Sequence, residues 1–61
     1  MEAVKLSRTL YEARRFCKKA EEALAKLERD TMASISGSKE TAACHRASLD
    51  LTRSLAELRK P

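Results

Sequence analysis

The chain has 61 residues, a formal net charge of +4, 43% hydrophobic residues and 36% charged ones. Single glycine and proline residues and few β-branched residues exclude a turn-rich sheet fold, and the abundance of Ala, Leu, Glu, Lys and Arg is the composition of helices. Charges break up every apolar stretch, so neither a bilayer-spanning segment nor a signal peptide is expected, and the expected location is the cytoplasm.

The first predicted element is a helix from Ala3 to between Asp30 and Ile35, about residues 3–33. With Leu10 at heptad position a, the a positions are Ala3, Leu10, Cys17, Leu24 and Thr31. The d positions are Leu6, Ala13, Ala20, Leu27 and Ser34. This is a sustained 3.5-residue repeat. Phe16 and Ala23 at neighbouring g positions widen the stripe beyond what one partner helix needs, and a broad apolar arc suits a helix touching two neighbours. The turn is expected at about 34–38. Gly37 suits a left-handed residue after a helix, Ser38 is a good N-cap, and Glu40 complements the dipole of the next helix. Met32 and Ile35 are expected to close this end as an apolar plug.

The second predicted helix covers about 39–60. Its seam reads Thr41, Cys44, Ser48, Leu51, Leu55 and Leu58, polar and small near the turn and leucine-rich near the far end. Pro61 cannot extend it. A short connection makes the two helices antiparallel neighbours, so the expected fold is an all-α, single-domain helical hairpin. A core this small rarely supplies more than ~3–5 kcal/mol unaided. Dimerisation into a four-helix bundle is the expected remedy, with Leu6, Leu10, Phe16, Leu24, Leu27, Leu51, Leu55 and Leu58 as the dimer core.

Little in the chain carries chemistry. A hairpin turning near Ser36 puts Cys44 opposite Leu27 and Cys17 opposite Ser54 or Leu55, several turns apart. No disulfide is then expected, and both cysteines read as small buried side chains. Cys44 and His45 are adjacent, so on a helix they point about 100° apart and cannot share a target. No catalytic, metal or cofactor site is expected, and the chain is not expected to be an enzyme.

Two surfaces are candidates for binding. The outer c and f positions of the first helix read Lys5, Arg8, Glu12, Arg15, Lys19, Glu22, Lys26 and Arg29. Such a basic stripe can track phosphates, and Arg8, Arg15, Lys19, Lys26 and Arg29 are its nucleic-acid candidates. The bland alternative is a solvated face laced by i,i+4 pairs, namely Arg8–Glu12, Lys18–Glu22 and Glu22–Lys26. Off the seams, Tyr11 and Leu49 stand near arginines, and Tyr11, Arg46, Leu49 and Arg53 form a candidate protein-binding surface.

In length, periodicity and turn position the whole chain resembles the Rop type, two helical hairpins forming an antiparallel four-helix dimer. It also looks like the small helical-hairpin regulators that phages and mobile elements encode to bind a host protein. This resemblance is one of architecture and assigns no residue a role. The expected function is a non-enzymatic protein-binding adaptor or regulator. The alternative is a Rop-like nucleic-acid binder that uses the basic face of the first helix.

Overall fold

The computed structural model describes residues 2–29 and 37–60. Two helices make up these segments, α1 (Ala3–Arg29, 27 residues) and α2 (Lys39–Arg59, 21 residues). They pack side by side in an all-helical hairpin measuring 44 × 15 × 12 Å. The region expected to hold the end of the first helix and the Met32–Ile35 plug lies outside the described residues.

The start of α2 is written in side chains. Gly37 has φ +82, in the left-handed region open to glycine. Ser38 follows as N-cap, and its Oγ accepts from the Thr41 N–H at 3.1 Å. In return the Ser38 N–H donates to Thr41 Oγ1 at 2.9 Å. This reciprocal pair is a capping box with threonine in the place usually held by Glu or Gln, and it satisfies two amides that a helix start would leave open. At the far end the Lys60 N–H donates to Glu57 O at 3.3 Å.

The packing between the helices differs from the expected seam. Thr9 and Ala23 on α1 and Ala47 on α2 are the buried residues, with Ala47 wholly enclosed. The contact line on α1 therefore follows the g positions Thr9, Phe16 and Ala23 rather than the a/d leucines. On α2 it follows Ala47 and Ser54 rather than the line from Cys44 to Leu55. The physical reason is size: Thr, Ala and Ser let two backbones approach closely. The Thr9 hydroxyl meets both Lys5 O at 2.8 Å and Ser54 O at 3.3 Å, which brings the helices within hydrogen-bond reach. The leucine pattern marks the most apolar stripe, and the small residues beside it mark the closest approach.

Register differs as well. Thr9 meets Ser54 and Arg15 meets Asp50. Cys17 is thus level with about Ala47, and Cys44 with about Ala20, not with Ser54 and Leu27 as expected. The pairing of the two helices is thus offset by several residues from the one that a turn near Ser36 implied. The two cysteines are consequently about one turn apart along the axis rather than several. Both are free thiols, Cys17 exposed and Cys44 half-buried, so the reading of two buried side chains fails for Cys17. No described helix is long and apolar enough to cross a membrane.

Candidate binding surfaces

Each residue turns an α-helix by about 100°, so the contact line divides each helix into two sides. On α1, Glu12 and Arg15 lie to one side of Thr9–Phe16–Ala23, and Leu6, Leu10, Cys17, Leu24 and Leu27 lie to the other. On α2, Arg46, Asp50, Arg53 and Glu57 lie to one side of Ala47–Ser54, and Cys44, Ser48, Leu51 and Leu55 to the other. The Arg15 guanidinium holds the Asp50 carboxylate at 2.7 Å, which joins the charged side of α1 to the charged side of α2. The leucine sides therefore also adjoin, and the hairpin has one apolar flank and one charged flank.

The apolar flank is open. Leu10 is 48% exposed and Leu24 58%, and Leu6, Leu27 and Leu55 are exposed as well. Phe16, Leu51 and Leu58 are half-buried close to the contact line. No large side chain is fully enclosed among the described residues. All eight residues expected in a dimer core thus lie on this flank or at its inner edge.

The charged flank is laced by ion pairs, and two of them differ from the expected ones. Glu12 pairs with Arg15 at 3.2 Å rather than with Arg8, and Glu22 pairs with Lys19 at 3.6 Å rather than with Lys18. Arg15 and Lys19 were expected to point freely into solvent, yet both are half-buried and Arg15 bridges the helices. Lys26 is half-buried, and Arg8 and Arg29 are exposed. The hydrogen bond from Arg15, aided by the charges of Arg15, Arg46 and Arg53, holds the Asp50 carboxyl below its ordinary pKa. Lys60 does the same to Glu57 through a 2.9 Å hydrogen bond, with Lys5 and Arg8 adding positive field.

At the open end of the hairpin this flank holds a cleft of about 200 Å³ lined by Lys5, Arg8, Thr9, Arg53, Ser54 and Glu57. Lys5 is engaged by Glu2 at 3.4 Å. Neither Arg8 nor Arg53 has an ion-pair partner among the described residues. Sequence reasoning placed Arg8 and Arg53 on different candidate surfaces and so missed the cleft. The signal was there in the register, since Arg8 and Arg53 flank Thr9 and Ser54, but the register was misjudged.

The candidate protein-binding surface is divided. Tyr11, 65% exposed, lies on the outward face of α1, in shallow depressions lined by α1 residues alone. Leu49, 55% exposed, lies on the outward face of α2. Arg46 and Arg53 stand on the charged flank, so the structure does not unite the four residues. His45 is exposed, and no cluster of His, Cys, Asp and Glu among the described residues could hold a metal ion. Comparison of the chain with protein-family models, with curated proteins and with solved structures finds no match.

Proposed function

We propose that the chain is a non-enzymatic protein-binding adaptor or regulator that works as a homodimer, its two hairpins forming a four-helix bundle. One observation carries this reading, the open leucine flank that runs across both helices. On this flank Leu10 is 48% exposed and Leu24 58%, with Leu6, Leu27 and Leu55 exposed beside them. A second copy brings an equal leucine flank, and burial of apolar area at roughly 25 cal/mol per Å² supplies the stability that a core of two alanines cannot.

A protein partner is favoured over nucleic acid because the middle of the basic stripe is engaged within the hairpin. Arg15 is shared between Glu12 and Asp50, and Lys19 is held by Glu22. Sedimentation at micromolar concentration tests the assembly. A mass of about 14 kDa, twice the 6.8 kDa of the chain, is expected. Leu10→Lys combined with Leu24→Lys should abolish it. A cooperatively folded wild-type monomer would refute the dimer. Strong binding of RNA or DNA, with affinity falling steeply as salt rises, would favour the nucleic-acid reading instead.

A further inference from the structure

We propose that the cleft between Arg8 and Arg53 is a carboxylate-binding site that receives an acidic side chain of a protein partner. The source of that carboxylate rests on the protein-binding reading above, while the site itself rests on geometry. The two arginines come from different helices and line one cleft with Lys5. Glu57, which lines the cleft, is hydrogen-bonded by Lys60, and Lys5, which also lines it, pairs with Glu2. Arg8 and Arg53 are exposed and form no direct ion pair among the described residues, and Glu57 and Asp50 are the carboxylates whose charge reaches them. A guanidinium offers paired N–H donors that match the two oxygens of a carboxylate, and two of them can clamp one acid from both sides. The Glu57 carboxyl is held below its ordinary pKa first by the Lys60 hydrogen bond, with Lys5 and Arg8 making smaller contributions. Helix dipoles contribute little here, because the start of α1 lies beside the end of α2 and the two offset each other.

The surroundings favour a single acidic side chain over a phosphate backbone. A strand of nucleic acid laid along the charged flank would pass Glu57, Asp50, Glu12 and Glu22, each repelling a phosphate. One carboxylate meets a single acidic residue, Glu57, which Lys60 already pairs, and the three cations Lys5, Arg8 and Arg53. Arg8 also borders the neighbouring depression lined by Ala3, Val4, Ser7 and Tyr11. An apolar residue one turn from the acid on a partner helix would find footing against Val4 and Tyr11, both largely exposed. Because the cleft lies on the flank opposite the leucines, pairing of two hairpins leaves it open, and a dimer would carry two such sites.

The test is an NMR titration of the full ¹⁵N-labelled chain with a capped helical peptide bearing Glu and Leu one turn apart. A matched peptide with Gln for Glu, inorganic phosphate and a short DNA duplex are the comparison probes. The Arg8 and Arg53 side-chain N–H signals should shift saturably with the Glu peptide and not with the Gln peptide. R8Q and R53Q should each weaken that binding about tenfold, the scale of a lost hydrogen bond to a charged group. R59Q, outside the cleft, should leave it unchanged. Neither cleft arginine holds an ion pair among the described residues, so circular dichroism should be the same in both variants. Absence of saturable shifts, equal binding of the Gln peptide, or duplex binding tighter than the Glu peptide with the same dependence on Arg8 and Arg53 would each overturn the proposal. Sedimentation of the same samples keeps the two readings apart, since a monomer that still binds the Glu peptide removes the dimer and leaves the site.

Discussion

The tightest point of the hairpin is Ala47, which is fully enclosed against α1. A longer side chain has no room there, so Ala47→Leu should destabilise by about 1–3 kcal/mol in urea unfolding. Thr9→Val keeps the shape and removes only the hydroxyl. Both carbonyls it meets are also helix acceptors, so a loss of about 1 kcal/mol or less is expected from the same measurement. The Arg15–Asp50 bridge makes stability depend on pH. Asp50 titrates lower in the folded chain than in the unfolded one, so its contribution is present above the ordinary carboxylate range and is lost as pH falls through the folded value. Wild-type melting temperature should fall on acidification, and Asp50→Asn should flatten that fall while lowering stability near neutrality. These roles were hard to read in sequence. Thr9, Ala23 and Ala47 fit a helix face without announcing themselves, and Asp50 finds Arg15 only once the register is known.

Among elements, the start of α2 was the most legible. Ser38 and Gly37 were recognisable from residue type alone, because a cap needs a short hydroxyl and a left-handed backbone needs glycine. Their reciprocal partner Thr41 was read as a seam residue, since the expected form of the box carries Glu or Gln. Ser38→Ala should cost about 1 kcal/mol, and Gly37→Ala about 1–2 kcal/mol from backbone strain, because an added Cβ would meet nothing within 4 Å. Gly37→Asn should recover part of that loss. Thermal unfolding followed at 222 nm checks all three. Helix periodicity was read correctly for both elements, yet it did not reveal which stripe each helix turns toward the other. Hydrophobicity and closeness of approach are different quantities, and here they lie on adjacent faces.

For the whole molecule, the pattern of sequence and the pattern of packing complement each other. The leucines of the a/d repeat from Leu6 to Leu27 stay exposed in the hairpin while Ala13 and Ala20 are half-buried, which is how a stripe too broad for one partner looks once that partner is in place. In the proposed dimer, melting temperature should rise with protein concentration, because unfolding then also separates two chains. Calorimetry over a hundredfold range of concentration checks this, and a constant value would argue for a self-sufficient monomer. On the charged flank, local pairs were expected at a spacing of four residues, and several form at a spacing of three. The turn adds the Arg15–Asp50 bridge, which no local spacing announces.

Cys17 and Cys44 both stand on the leucine flank, and Cys17 is exposed. If a second copy covers that flank, the rate at which a maleimide reacts with these thiols becomes a clock for separation of the two chains. Reaction should be slow in concentrated solution and faster on dilution, in a time course followed by mass spectrometry. Once alkylated, a chain carries bulk where its partner would lie and cannot return to the pair. The chemistry would then act as a ratchet, drawing the population one copy at a time into a trapped single-chain form.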